Sequence, residues 1–578
     1  MTQQSSFNAR KTRLLNTMHA RLSTRARAAT AFVTAPEPRT IGSFAKGRQL
    51  MAGNYLFAGH LVTAQGTAIW DLKSPASEFT NELQGFSWLD DLASVGDGSA
   101  RGTATRWLWE WIERYGKGTG PGWTPDLTGR RLIRWINHAI FLLRGQQSNE
   151  SHAFYRSLAQ QTRFLSKRWQ SAAPGLPRFE ALTGLIYAGM ALEGQETLAE
   201  PAIKALAREC ESQINAQGGL PTRNPEELLE VFTLLTWAAA ALSEADRAVP
   251  HQQIEAIDRI APSLRTLRHA DGGLARFHGG GRGMEGRLDH ALSNSGVKTG
   301  APDGLSMGFA RLSSGRTSII IDASPPPGGK ASINAHAATL AFEVTSGRRP
   351  MIVNCGSGAS FGADWRRAGR ATPSHSTLCL DGYSSARLGD ADKITSGEEL
   401  LDIPHRVPIE ISEAPDGLRF QGGHNGYVAT HGLTHARTLE LTFDGRGLAG
   451  EDMLLALEDV DRKRFDKAMD AHKLDGVPFD IRFHLHPEVD ATVDLGGVAV
   501  SIALKSGEIW IFRSEGLEVR LEPSVYLETG RLKPRATQQI VLSGRAMEYA
   551  TRMRWSLSKP QETAIGVRDL VQDELLLP

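Results

Sequence analysis

The chain has 578 residues, more than one hydrophobic core holds, so two domains are expected. Its 65 basic and 64 acidic residues leave a net charge of +1, which supplies no global field for binding nucleic acid. The three cysteines, Cys210, Cys355 and Cys379, have no paired spacing; that excludes a cysteine-rich zinc site and argues against a disulfide framework.

Residues 1–44 form a basic arm. It carries Arg10, Lys11, Arg13, Arg21, Arg25 and Arg27 and has no acid up to about Pro36. Leu14, Met18 and Leu22 fall on one face at helical spacing, so the arm suits peripheral contact with an anionic membrane surface. The plainer alternative is a solvated, partly ordered extension. The arm lacks the apolar core of a secretory signal, and no run of about eighteen apolar residues follows it, so no transmembrane helix is expected. A cytoplasmic location is the expectation.

Residues 45–290 read as helical. Trp107–Ile112 opens one helix, and Arg130–Leu143 places Leu132, Trp135, Ile136 and Ala139 on one side. The segments 182–192 and 228–242 are apolar nearly all round, as helices covered by neighbours on both sides are. Breaks fall at Gly118–Gly122, Pro174–Pro177 and Gly218–Pro221. Such a series fits an (α/α) toroid. Arg178, Glu180, Arg223, Asn224, Glu226 and Glu227 lie beside these breaks, where side chains can face a cleft. Paired carboxylates there suit acid/base work on a glycosidic bond. Equally, Asn224 suits a helix N-cap, with Pro225 at the first helical position and Glu226 and Glu227 as first-turn acids.

The glycine-rich stretch 279–304 reads as a linker or long loop. The segment 271–282 lacks the Gly-Lys-Ser/Thr ending of a phosphate loop, so nucleotide binding is rejected. From residue 305 the pattern changes to short alternating runs at 317–322, 439–443, 479–485, 498–504 and 509–512. Helices followed by strands predict a multidomain α+β chain, its second domain (305–578) an antiparallel β-sandwich.

Within that half, polar groups stand at the ends of apolar runs. Asn334 and His336 precede Leu340–Val344, Asn354 and Cys355 follow Met351–Val353, and His375 precedes Thr377–Leu380. Two imidazoles with an oxygen donor between them make His336, Asn354 and His375 a candidate Zn²⁺ set; a metal-free histidine pair is the alternative. Arg366, Arg367 and Arg370 match carboxylate or sulfate geometry, or else form surface ion pairs. A later cluster holds His424, Tyr427, His431 and His435.

The chain resembles the heparinase II/III family of polysaccharide lyases. Asn334-Ala335-His336-Ala337-Ala338 stands where members show His-Ala-His-Ala-Asp. Val353-Asn354-Cys355-Gly356 stands for Val-Asp-Pro-Gly, and Ser374-His375-Ser376-Thr377 for Ala-His-Asn-Thr. The resemblance implies a toroid, a sandwich, an organising zinc and β-elimination of an acidic glycan in the cleft between the domains. It makes Glu227, His424, Tyr427 and Asn334 the catalytic candidates, and Arg178, Arg223, Asn224, Arg366 and Arg370 the substrate-binding ones. The family's helical motif Asp-Gly-Gly-His-x-Glu-Arg-Ser-Pro-x-Tyr-His corresponds to residues 217–228. There Arg223 and Pro225 are kept, the catalytic Tyr position holds Glu227, and the following His is Leu228. Two readings therefore stand beside elimination: hydrolysis by cleft carboxylates, and a non-catalytic glycan-binding or envelope-associated protein on a lyase scaffold. The resemblance also admits the periplasm or cell envelope as the location.

Overall fold

A computed structural model describes residues 2–33, 37–300, 304–390 and 397–561, together with 563 and 569. Helices fill the first half and antiparallel sheets the second. Trp88, Trp111 and Trp135 are fully buried, and edge-to-face contacts link Trp111 to Trp135 and Trp70 to Trp88. These tryptophans build the toroid core and do not line a groove; their large apolar area stabilises most when wholly removed from water.

Several local expectations are corrected. Trp107–Ile112 lies within the helix Gly98–Tyr115 and does not open it. The apolar stretch 130–143 is two helices, Pro125–Asn137 and Ala139–Leu143, which meet at His138. His138 Nε2 lies 2.9 Å from Asp90 and 3.0 Å from Thr40, so the break serves a buried polar cluster. The expected linker at 279–304 contains the helix Arg287–Ser295. The basic arm is not a solvated extension over its described residues. Thr2–Ser23 is a helix seated on Ser148–Arg168, where Asn16 accepts from Arg168 Nε at 2.7 Å and Ala20 is fully buried. Further along, Val33 donates to the Ala191 carbonyl at 2.8 Å.

The sandwich stacks two eight-stranded sheets. One runs in the order Ile409–Ala414, Gly417–Tyr427, Leu433–Thr442, Gly447–Leu455, Ala550–Ser558, Ile509–Glu515, Ala499–Ala503, Asp490–Asp494. The other runs Val519–Tyr526, Arg535–Ala546, Val477–Leu485, Arg349–Val353, Phe342–Ser346, Thr317–Asp322, Phe309–Ser314, with Leu378–Leu380 also paired to Val477–Leu485. Phe342, Phe483, Phe512 and Trp555 pack between the sheets.

The halves are riveted by arginines. Arg311 of the sandwich donates to the carbonyls of Thr266 and Arg268 at the end of helix His251–Leu267, 2.8 Å each. Arg276 reaches the other way, to the carbonyls of Asn354 at 3.3 Å and Cys355 at 3.1 Å, with its guanidinium 3.9 Å from the Tyr526 ring centre.

Candidate functional site

Three places hold the residues that the sequence singled out: the junction of the domains, the interior of the sandwich, and the hollow of the toroid.

At the junction, Asn224 is the N-cap of helix Pro225–Glu244. Its Oδ1 accepts from the backbone of Glu226 at 3.0 Å and Glu227 at 3.2 Å. Glu226 Oε2 in turn accepts from the Gly281 backbone at 2.7 Å and ties down the glycine-rich loop. Arg223 was expected to hold an anionic substrate. It is instead 8% exposed, pairs with Asp322 at 2.6 Å and donates to the carbonyls of Met307, Gly308, Ser324 and Pro325. Burial alone would raise the Asp322 carboxyl; Arg223 and His278 outweigh it and hold the group below its ordinary value.

Arg370 is likewise spent, on the carbonyls of Ala335 and Ser332 at 2.8 Å each. Arg366 holds the Ile333 carbonyl at 2.9 Å and Asn334 Oδ1 at 3.1 Å. Arg178 binds Glu209 at 3.3 Å and the Ala172 carbonyl at 2.9 Å. All four guanidiniums serve internal partners, because each sits where carbonyls at helix and loop ends need donors. Of the other catalytic candidates, Asn334 is exposed and Glu227 half-buried, its carboxyl raised by burial.

His336 Nδ1 and His375 Nε2 are 3.0 Å apart, and His375 Nδ1 lies 2.9 Å from the Ala371 carbonyl. A carbonyl only accepts, so His375 carries its proton on Nδ1 and accepts from His336 through Nε2. Burial pushes His375 down to about 4 and His336 well below its ordinary value, so both are neutral. Asn354 Oδ1 accepts from the Ser376 backbone at 3.0 Å. The facing nitrogens of the two imidazoles are thus spent on each other and the amide oxygen on the backbone. Among the described residues no group of three or more His, Cys, Asp or Glu side chains is placed to hold a metal. This donor set, as arranged, does not fit zinc.

His424 and Tyr427 require a correction. Both are buried inside the sandwich, 1% and 0% exposed, and neither reaches a cleft. The Tyr427 hydroxyl donates to the Leu378 carbonyl at 3.1 Å. His424 pairs with His435 at 3.2 Å, His435 with Asp452 at 2.7 Å, and Asp452 also accepts from Arg437 and Trp555. The register sets His424 directly opposite His435 on neighbouring strands, so this network pins one sheet.

The toroid hollow was missed as a site, although Glu180 belongs to it. A cavity of about 330 Å³ opens between the inner helices. Arg130 donates to Glu180 at 2.6 Å, Arg134 to Asp90 at 2.9 Å, and Arg287 pairs with Glu230, all on the cavity wall. Burial pulls the Glu180 carboxyl up to about 7 against the pull of Arg130, and the Asp91 carboxyl up to about 6. Arginines inside the apolar run 130–136 were the available signal, since charges on a buried helix face demand partners.

The comparisons with known proteins agree with this architecture. The Heparinase II/III-like, C-terminal family matches residues 296–556. The FtsZ-localized protein C of Caulobacter vibrioides is 30% identical over 538 residues, covering 91% of this chain and 89% of that protein. Among solved structures, heparinase III superposes with a TM-score of 0.66 at 14% identity, over 93% of this chain and 88% of its own. A mutant heparan sulfate lyase HepC from Pedobacter heparinus gives a TM-score of 0.57 at 14% identity, over 95% and 88%.

Proposed function

The chain belongs to the heparinase II/III-like family, and on that premise we propose that it is a division-associated protein that rests on an anionic membrane surface and uses the lyase scaffold as a binding body. The observation that carries this reading is the amino-terminal helix. Asn16 and Ala20 seat one face on the toroid, while Leu14, Met18 and Leu22 point away from it, 71%, 44% and 48% exposed. The flanking basic residues, with no acid before Glu37, complement an anionic bilayer, each contributing about 1 kcal/mol near such a surface. Among the described residues no helix is long and apolar enough to cross a membrane, so the contact would be peripheral. The FtsZ association is carried over from the name of the 30% identical relative.

Elimination of an acidic glycan at the domain junction has weaker support. It requires cations or donors to neutralise a uronate carboxylate, a base, and an acid for the leaving oxygen. Arg178, Arg223, Arg366 and Arg370 are engaged by the protein itself, and Tyr427 and His424 are walled into the sandwich. A carboxylate at position 227 is the feature that keeps carbohydrate chemistry in play.

Co-sedimentation with vesicles of phosphatidylglycerol and phosphatidylcholine tests the primary reading. The full chain should pellet with them, be released by high salt, and lose binding when Leu14, Met18 and Leu22 are all changed to Glu. Equal pelleting of that triple variant would sink the membrane assignment. Co-sedimentation with FtsZ polymers tests the second half independently. In parallel, ultraviolet absorbance of a newly formed unsaturated uronate, followed over a panel of acidic glycans, should stay flat; a rise would restore the lyase reading.

A further inference from the structure

A second hollow, of about 730 Å³, opens where the end of helix His251–Leu267 and the helix Arg287–Ser295 meet the strand Phe309–Ser314. Its charge is one-sided. Arg265, Arg268, Lys298 and Arg311 line it against one carboxylate, Asp289, which Arg268 holds at 2.8 Å. His269 also lines it and is tied to Glu343 at 3.0 Å. Among the described residues, none of Arg265, Lys298 and Arg311 pairs with a carboxylate. The whole chain carries only +1, so this gathering of cations is a local feature. Arg311 is the most telling member. Its Nη1 is spent on the carbonyls of Thr266 and Arg268, while its Nε and Nη2 have no partner among the described residues and reach solvent. Those two nitrogens form the edge of the guanidinium fork that meets two oxygens of one phosphate. Burial pushes the Arg311 guanidinium below its ordinary value, with no carboxylate to pull it back. A partly buried cation without a counter-charge is costly to the fold and marks a place for an anion. Arg265 holds the carbonyls of Val297 and Thr299, which fixes the exposed Lys298 between them.

We propose that this hollow binds a compact diphosphate group, with the Arg311 fork on one phosphoryl unit and Arg265 and Lys298 on the other. Four cations around one hollow suit charge packed into neighbouring phosphoryl units. A uronic acid chain spreads its charge one to a ring, and no Phe, Tyr or Trp lines the hollow to cover a sugar face. The ligand class therefore differs from the acidic glycan that the resemblance implies. It also stands apart from the membrane reading, because none of its residues lies on the amino-terminal helix.

The test is isothermal titration calorimetry of the full chain at low salt with sodium pyrophosphate, sulfate and digalacturonate. Pyrophosphate should bind at least about tenfold tighter than either of the others. Arg311→Lys keeps the charge and removes the fork, so it should bring pyrophosphate down to the level of sulfate. Should that variant fail to fold, Ser293→Glu serves in its place. Ser293 is exposed, lines the hollow, and its hydroxyl bonds to nothing among the described residues. The added carboxylate occupies the cations without removing one, and should weaken binding by about tenfold or more. Geranyl diphosphate separates the two sources of the group: tighter binding than pyrophosphate assigns it to a lipid headgroup, equal or weaker binding to a soluble ligand, and either upholds the site. The triple variant at Leu14, Met18 and Leu22 should bind pyrophosphate unchanged, so failure of the membrane reading leaves this site standing; loss of binding there would move the anion to the basic arm and overturn it. Sulfate or digalacturonate binding as tightly as pyrophosphate, no heat from pyrophosphate, or binding unaltered by Arg311→Lys and Ser293→Glu would each overturn the assignment as well.

Discussion

Arg223 and Asp322 show how one side chain can change employment without changing identity. Arg223 sits in the left-handed region at φ +49°, turned inward over the Phe309 ring, and its charge is matched by a carboxylate with no exposure at all. Asp322→Asn should therefore strand a buried guanidinium and cost about 3–5 kcal/mol in denaturant unfolding. The histidines give a pH signature. His484 is buried between Ser524 at 2.8 Å and the Pro373 carbonyl at 2.9 Å, and burial pushes it down to about 3. Its unfolded form takes up a proton near the ordinary histidine value, so the unfolded state binds more protons below that point. Stability from His484 is full above about pH 6.5 and is lost as pH falls toward the folded value, by roughly 1.4 kcal/mol per pH unit. His484→Gln should flatten the stability–pH curve by that slope in the acid range, measured by urea midpoints at several pH values. An unchanged slope would mean that the imidazole is solvated.

Among the elements, the helix Pro225–Glu244 was readable from its first four residues. Asn224, Pro225, Glu226 and Glu227 form a cap, a first-position proline and two dipole-favoured acids, and the structure uses the cap as such. Asn224→Ala should cost about 1 kcal/mol in thermal unfolding, with an added loosening of the Gly279–Gly281 loop, because a Cβ on Gly280 would already stand 2.4 Å from Asn224 Oδ1. The contact between helices Pro125–Asn137 and Leu176–Ala191 was not readable. It depends on Gly129 facing Gly184, where a Cβ on Gly184 would lie 2.4 Å from the Gly129 Cα. Gly184→Ala should push the two backbones apart, destabilise the chain by about 1–3 kcal/mol and alter the hollow that these helices border. Circular dichroism melting would register the first effect.

In the whole molecule, the toroid and the sandwich are held as one body by guanidinium–carbonyl rivets at Arg223, Arg276 and Arg311. Replacing Arg223 and Arg276 together by Met should lower the calorimetric transition temperature yet leave one transition, since the toroid's apolar core extends to Met307, Phe309, Ile320, Ala338 and Ala341 of the sandwich. Two transitions in that double variant would show that the guanidinium rivets, and not the shared apolar core, couple the halves. The change of period near residue 305, the buried-helix runs and the strand at 317–322 were legible, because burial on one face imposes a repeat that no tertiary detail can erase. The candidate site was legible only as a set of residue types. Whether Arg223 faces substrate or Asp322, whether Tyr427 meets a cleft or the Leu378 carbonyl, and whether His336 and His375 offer nitrogens to a metal or to each other turn on contacts between residues 39 to 99 positions apart. The helical first half, the sandwich and the lyase-like framework were legible in the chain alone, since they rest on local periodicity and short motifs. Which polar groups are spent on the fold was set by contacts in space, because a hydrogen bond is assigned by what stands within about 3 Å of it, and that neighbour is seldom near in the chain.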